Sequence, residues 1–237
     1  MVLKTALPIK GYKGRPVANV LYRQSAEADS LGVIFGGWRY TTDLPLLYFT
    51  RRILLGMGAD VLAVDFSYSM ERTYAKLSDK KRQEWFLADV RAAYAQALRR
   101  KTYKRCTAVG KSLGTLAVAD LIMESMIKDS AQLVWLSPLL GAESIRSTLA
   151  ETTNPSLVVL GTHDESFSEA NVRLIRKNSK LDLMVVERGD ENIEVEGDVA
   201  RSAELVVAYI NRLKTFLGLA REPLFKSPLP LVEKSAE

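Results

Sequence analysis

Residues 106–121 read CTAVGKSLGTLAVADL, and this stretch decides the fold that the sequence predicts. Residues 106–110 form a short apolar run that is typical of a buried strand, and a helical pattern starts at the second glycine. Between the two lies GKSLG, a G-x-S-x-G pattern centred on Ser112. A turn this tight needs flanking residues without a Cβ atom, which the two glycines provide. We therefore expect Ser112 at a strand-to-helix turn, where the helix N-terminus favours a developing negative charge.

Other apolar runs predict a series of strands separated by helical patterns. Near-continuous apolar strands that alternate with helices are typical of a mostly parallel sheet covered by helices on both faces, the α/β class. RPVANVLY, just before this series, alternates apolar and polar residues as a half-buried edge strand does. The predicted buried strands, besides the one before Ser112, are residues 31–37, 59–66, 132–137, 156–161 and 181–187.

Three of the helices carry explicit start signals. Asp43 is the expected cap of the first, which has Pro45 in its first turn and ends at a glycine, 56 or 58. The second begins at residue 78 or 79, and the last begins after Asp198. Spacings of three and four residues give each of the latter two an apolar face. These faces are Phe86, Val90, Ala93 and Ala97 in the second, and Val206, Ile210, Leu213 and Leu217 in the last, which Gly218 stops.

The domain organisation is expected to be simple. No linker rich in Gly, Ser or Pro interrupts residues 31–217, and no internal repeat is present. We expect one α/β domain over residues 1–217. Residues 218–237 carry three prolines and form a C-terminal extension.

Composition narrows the possible chemistry. One cysteine excludes an internal disulfide and a multi-cysteine zinc site, and it fits a reducing cytoplasm. No apolar run approaches a membrane span and no secretory signal is visible. The net charge of +5 is modest, and the basic residues at 99–105 have only one interleaved aromatic, Tyr103. We therefore expect a small-molecule ligand or substrate, no nucleic-acid or membrane partner, no metal and no cofactor; the sequence does not indicate an oligomeric state.

The order of these parts resembles the α/β-hydrolase family over roughly residues 15–217, in particular its small esterase and dienelactone-hydrolase-like members without a lid. The GKSLG turn resembles the family's nucleophile elbow. The short connection between residues 137 and 156 leaves no room for a large lid, so we expect a shallow, open site at the carboxyl ends of the strands. The resemblance implies Ser112 as nucleophile, Asp164 as the acid, and backbone N–H groups of Leu113 and of Gly37 or Trp38 as oxyanion donors.

The base is where this sequence departs from the family. The family order is serine, acid, histidine, and no histidine follows Asp164. Glu191 or Asn192 occupies the position of the base in the final loop, and a carboxylate with an ordinary pKa of about 4 is a weak base at neutral pH. The single histidine, His163, is adjacent to Asp164, and neighbours at a strand end point in opposite directions.

Two functions from different classes remain open. The first is a serine-dependent hydrolase of small carboxylic esters or related acyl compounds with an incomplete triad, in which Ser112 attacks and Asp164 orients the base. The second is a non-catalytic α/β-hydrolase-like binding or interaction protein that retains the elbow. Lys111 precedes the serine, but Arg105 stands where a Walker phosphate loop needs glycine, so we expect Lys111 at the mouth of the site.

Overall fold

The computed structural model of the protein describes residues 2–24, 27–99 and 101–219, and within them eight strands form one sheet. The strands are β1 Leu3–Thr5, β2 Asn19–Arg23, β3 Ser30–Phe35, β4 Asp60–Val64, β5 Arg105–Lys111, β6 Gln132–Leu136, β7 Ser156–Gly161 and β8 Leu181–Val186. They lie in the order β1-β2-β4-β3-β5-β6-β7-β8. β2 pairs antiparallel with both β1 and β4, and all pairings from β4 to β8 are parallel. The predicted mostly parallel sheet is confirmed.

Helices cover both faces of the sheet. They are α1 Pro45–Gly56, α2 Arg72–Ala75, α3 Asp79–Leu98, α4 Leu113–Met123, α5 Glu143–Glu151, α6 Glu169–Ile175 and α7 Val199–Phe216. Buried residues of α1 and α7 pack into one apolar cluster, and those of α3, α4, α5 and α6 pack into another. Because side chains alternate along a strand, β3 contributes Val33 and Phe35 to the second cluster and Ile34 to the first.

The strand register brings several strand ends to one edge of the sheet. Phe35, the last residue of β3, pairs with Val64 of β4 and with Gly110 of β5. In parallel strands the carboxyl ends meet at the same edge, and this edge is where α/β proteins bind ligands. The loops after β3, β5, β7 and β8 therefore all start there, and they hold the candidate site residues that the sequence indicated, except Leu113, which begins α4.

The helix signals are confirmed in part. α3 begins at Asp79, and Phe86, Val90, Ala93 and Ala97 are buried along one face, as predicted. Asp198 caps α7, with its side chain accepting a hydrogen bond from the N–H of Arg201. Gly218 follows the end of α7 with a φ of +80°, which suits a glycine stop.

The predicted Asp43 cap is wrong. Leu44 is the N-cap residue of α1 and makes no side-chain cap bond. The Asp43 carboxylate instead accepts a 2.8 Å hydrogen bond from the guanidinium of Arg51, which is buried. A charged partner about two helical turns on offers the carboxylate a stronger bond than an orphan N–H does.

Two further predictions are displaced. The predicted edge strand is β2, but β1 pairs with its outer side, so β2 is not an edge. The buried residues of α7 are Leu205, Tyr209 and Leu213, and Val206 and Ile210 are only partly buried. Of the predicted apolar face, Leu213 and Leu217 are buried, whereas Leu205 and Tyr209 are buried in place of Val206 and Ile210. Most of the C-terminal extension, residues 220–237, lies outside the described residues.

Candidate active site

Ser112 occupies a strained turn between β5 and α4, as the G-x-S-x-G spacing predicts. Its φ of +49° and ψ of −114° lie outside the regions that L-residues usually adopt. Such a conformation costs about 1–3 kcal/mol and persists only where the surroundings enforce it. The N–H of Ser112 donates a 2.9 Å hydrogen bond to the carbonyl of Leu136, which ties the turn to β6.

The two glycines of the turn are required by close backbone contacts. A Cβ atom on Gly110 would lie 2.3 Å from the carbonyl oxygen of Gly114. A Cβ atom on Gly114 would lie 2.3 Å from the carbonyl oxygen of Phe35, at the end of β3. The backbone of the turn therefore packs closely against itself and against the end of β3. β3 is the strand that leads into the loop opposite Ser112.

That loop brings Gly37 beside the serine. A Cβ atom on Gly37 would lie 3.3 Å from the Cβ of Ser112. The N–H of Gly37 already donates a 2.8 Å hydrogen bond to the carbonyl of Tyr40, so it is not free to bind an oxyanion. Trp38 and Leu113, the other two residues implied as donors, have backbone N–H groups without an acceptor among the described residues. The Trp38 side chain is 46% exposed beside the site.

Asp164 is buried at the turn that follows β7, and it has one unused oxygen. Its Oδ1 accepts a 2.8 Å hydrogen bond from the N–H of Ser166. Its Oδ2 is buried and has no hydrogen-bond partner among the described residues. Asp164 does not cap the following helix, because Ser168 does so. A buried carboxylate oxygen without a donor is costly, so this atom is available to a donor group that enters the site.

His163 does not supply that donor in the structure. It is exposed, whereas Asp164 is buried, and no hydrogen bond joins their side chains among the described residues. The N–H of His163 donates to the carbonyl of Gly189, which joins this turn to the final loop.

The loop after β8 reaches the same edge of the sheet. The Ser137 hydroxyl donates a 2.5 Å hydrogen bond to the carbonyl of Glu191, and a Cβ atom on Gly161 would lie 1.9 Å from the carbonyl oxygen of Gly189. These contacts join the final loop to the ends of β6 and β7. The Glu191 side chain itself is exposed and makes no hydrogen bond with another described residue.

Asn192, the alternative residue at the base position, is held by its backbone. Its N–H donates a 2.7 Å hydrogen bond to Oδ1 of Asp190. The Asp190 side chain also accepts from the N–H of Glu194, so one carboxylate organises the turn that presents residues 191 and 192. Both positions therefore have a defined backbone at the edge of the sheet that holds Ser112.

Lys111 is the residue whose position sequence reasoning missed. We expected it at the mouth of the site, but its side chain is 1% exposed and is among the largest fully buried side chains. Its Nζ lies 5.0 Å from the centroid of the Tyr40 ring, and it makes no hydrogen bond or salt bridge with the described residues. The period of two along β5 was the available signal, because Val109, two residues earlier, faces the same buried cluster.

Burial changes the protonation of this lysine. Desolvation lowers the pKa of Lys111 below its ordinary value, because a charged ammonium is disfavoured away from water. The carboxylates of Glu191, Asp164 and Asp190 oppose this effect by attracting the ammonium. Burial also raises the pKa of the neighbouring Tyr40 to about 12, so its hydroxyl stays neutral near pH 7.

The sheet order and the turn at Ser112 define an α/β-hydrolase fold. Only the nine-residue helix α5 and its flanking turns separate β6 from β7, so no lid is inserted there. No family model matches the chain, and no curated protein matches it. Many solved structures do match, and their identities are low enough that they establish the fold alone.

Three of these structures illustrate the likeness. Esterase Est1E from Butyrivibrio proteoclasticus, solved with ferulic acid bound, superposes with a TM-score of 0.64 at 16% identity, over 87% of this chain and 97% of its own. An esterase from Pyrococcus furiosus gives a TM-score of 0.66 at 14% identity, covering 92% and 91%. A lidless α/β serine hydrolase from Xanthomonas campestris gives 0.63 at 14% identity, covering 94% and 96%.

No helix among the described residues is both long enough and apolar enough to span a membrane. Within the same residues, no group of three or more His, Cys, Asp and Glu side chains is arranged to hold a metal ion.

Proposed function

We propose that the protein is a serine-dependent hydrolase of small carboxylic esters or related acyl compounds, with Ser112 as its nucleophile. The strained conformation of Ser112, with φ at +49° between two glycines that admit no Cβ atom, is the observation that carries this proposal. A turn that only connected a strand to a helix would not need such strain, and strain of this kind is concentrated at functional sites.

The mechanism follows from the groups around Ser112. Its Oγ attacks the acyl carbonyl carbon, and the carbonyl electron pair moves to the oxygen. The free N–H groups of Leu113 and Trp38 are the donors for that oxyanion, and donors of this kind are worth roughly 10²–10³-fold in rate. The alcohol then leaves with a proton and an acyl–serine ester remains. Water cleaves this ester in the same way and regenerates the Ser112 hydroxyl.

The substrate class follows from the openness of this edge of the sheet. Without a lid, no wall is available to bury a long acyl chain, so short or exposed acyl groups fit best. The exposed indole of Trp38 beside Gly37 offers an apolar surface for the leaving group. The comparison structures that are esterases agree with this class.

A second candidate is a non-catalytic binding protein that uses the same edge of the sheet. The exposed position of His163, the single imidazole of the chain, favours this alternative, because a serine hydroxyl is a poor nucleophile without an adjacent base. Under this alternative, Asp164 Oδ2 and the free N–H groups of Trp38 and Leu113 would bind a ligand that is released unchanged.

Covalent labelling separates the two candidates. A fluorophosphonate probe should modify the protein at Ser112, as located by mass spectrometry, and p-nitrophenyl acetate should be hydrolysed. Ser112→Ala should abolish both, whereas Ser130→Ala, an exposed serine next to β6, should change neither. If the wild-type protein is not labelled and its slow ester hydrolysis is unchanged in Ser112→Ala, the binding function replaces the hydrolase.

A further inference from the structure

Lys111 combines properties that a structural lysine does not have. The side chain is 1% exposed, yet no carboxylate among the described residues forms a hydrogen bond or salt bridge with its amine. Among those residues its direct partner is the face of the Tyr40 ring, at 5.0 Å. Burying a cation without a paired anion costs several kcal/mol, which a methionine at the same place would avoid. A cost of this size indicates that the buried amine has a functional role.

The surroundings of Lys111 point to the reaction centre. The carboxylates whose charge acts on its amine are Asp164, from the turn after β7, and Asp190 and Glu191, from the loop after β8. The Tyr40 ring, from the loop after β3, lies 5.0 Å from Nζ. These are the segments that surround Ser112, and a family hydrolase would place its imidazole among them. The amine therefore occupies the neighbourhood of the missing base, and Asp164 is on hand to stabilise its charged form.

We propose that Lys111 is the general base that activates Ser112, in place of a histidine. This inference rests on the proposed hydrolase function. The uncharged ε-amine takes the proton of the Ser112 hydroxyl as the Oγ–carbon bond forms. The resulting ammonium returns that proton to the leaving alkoxide as the carbon–oxygen bond of the ester breaks, and the same transfers with water complete the cycle. The charge that forms on Nζ is stabilised by Asp164 and Glu191, as an imidazolium is by its aspartate.

Reach and protonation both allow this role. Lys111 and Ser112 are consecutive, and the φ of +49° at Ser112 interrupts the strand alternation that would otherwise turn their side chains to opposite faces. Consecutive Cα atoms are about 3.8 Å apart, and the four methylene groups of a lysine extend further than that. The structure has no hydrogen bond between Nζ and the Ser112 Oγ, so the amine must rotate from the Tyr40 ring towards the hydroxyl when substrate binds; catalytic hydrogen bonds often tighten only at that stage. The lowered pKa makes more of the amine available uncharged than in an exposed lysine.

Glu191 is the competing base, and it is less suited. Its carboxylate is exposed, so water competes for the proton and solvates the charge. An amine whose pKa falls towards the working pH is a stronger base than a solvated carboxylate. In this proposal Glu191 is one of the anions that attract the ammonium, and its loss changes the pH at which Lys111 ionises rather than removing the base.

The test measures the rate at which the fluorophosphonate labels Ser112 as a function of pH. In the wild type the rate should rise with pH until the amine is uncharged. Lys111→Met should lower it by about 10²–10⁴-fold and remove this rise, and Lys111→Arg should do the same although it keeps the charge. Glu191→Gln should keep the rise and move it to lower pH. Lys104→Met, which changes an exposed lysine before β5, should match the wild type.

The outcomes separate this inference from the function on which it rests. If wild-type Ser112 is labelled and Lys111→Met reacts within about tenfold of it, the base is not Lys111, while the hydrolase stands. If wild-type Ser112 is not labelled at any pH, both proposals fail. Should the Lys111 variants not fold, NMR titration of ¹³C-labelled lysines in the wild type decides instead: one buried lysine must ionise at the pH where labelling reaches its plateau, and a mismatch overturns the proposal.

Discussion

The carbonyl oxygen of Phe35 lies so close to Gly114 that a Cβ atom on the glycine would stand 2.3 Å from it. This contact joins the last residue of β3 to the first turn of α4. Gly37, two residues beyond Phe35, lies beside Ser112, so one backbone contact sets the distance between the serine and the loop that faces it. The glycine at the end of the G-x-S-x-G pattern therefore positions two parts of the site together.

Gly114→Ala should destabilise the protein and impair labelling of Ser112. The added methyl group must displace backbone rather than a flexible side chain, so we expect a loss of about 1–3 kcal/mol in the free energy of unfolding. Urea denaturation measures it. The matched control is Gly56→Ala at the end of α1, where a Cβ atom meets nothing within 4 Å; there we expect a neutral effect or a gain of about 0.5–1 kcal/mol. Equal effects at both positions would contradict the contact.

Lys111→Met should stabilise the protein at pH 7 while it lowers reactivity. Replacing an unpaired buried cation by an apolar side chain of similar shape commonly gains about 1–4 kcal/mol. The lowered pKa fixes the sign of the pH dependence: between the folded pKa and the ordinary value near 10.5 the unfolded chain binds more protons, so wild-type stability rises with pH. The advantage of Lys111→Met should therefore shrink as the pH approaches 10.5, as read from paired urea melts. An advantage that stays constant with pH would show that Lys111 ionises alike in the folded and unfolded states, which contradicts the lowered pKa.

Glu191→His should restore reactivity in the Lys111→Met protein. The carbonyl of residue 191 is held by the Ser137 hydroxyl, so an imidazole there starts from a fixed backbone. General-base assistance is typically worth about 10²–10⁴-fold, and Asp164 Oδ2 is free to fix the tautomer of the ring. Ester hydrolysis is the measurement. Asn192→His serves as the control for alignment, and adding Asp164→Asn should cancel the gain. No gain from either histidine would mean that the loop side chains do not reach Ser112.

Asp89, in α3, should make stability depend on pH in the opposite sense to Lys111. Desolvation raises the pKa of this buried carboxyl, although it accepts hydrogen bonds of 2.6 Å from the Tyr68 hydroxyl and 2.7 Å from the N–H of Tyr12. In the interval above the ordinary pKa of 3.8 the folded state binds more protons, so the stability contributed by Asp89 falls as the pH rises through its folded pKa. Asp89→Asn should be the more stable protein at pH 7 and should lose that advantage near pH 4. A pH-independent difference between the two would contradict the raised pKa.

Regular patterns made the sheet and the elbow predictable from the sequence. Apolar runs with glycine at their ends predict strands because burial on both faces leaves little choice of residue, and GKSLG predicts the turn because a Cβ atom at Gly110 or Gly114 would collide with backbone. β1, by contrast, is three exposed residues long and has no apolar pattern to reveal it. Its place at the edge depends on pairing with β2, which is a tertiary contact.

The site was less predictable where charges decide the structure. Asp43 stands in the sequence where a helix cap is expected, but its carboxylate binds the guanidinium of Arg51, which is a better partner than a helix N–H. The general preference of lysine for solvent placed Lys111 at the surface, whereas the alternation along β5 buries it. In both cases a charged side chain has two physically reasonable positions. The tertiary contacts made in the folded protein determine which of them it takes.

Gly161 and Gly189 meet through their backbones, and Ser137 holds the carbonyl rather than the side chain of Glu191. The path of the final loop therefore does not depend on the side chain of residue 191. That side chain can be replaced without impairing folding, since no packing contact has to be rebuilt. The chemistry offered at this position can therefore be altered by a single substitution while the chain keeps its path.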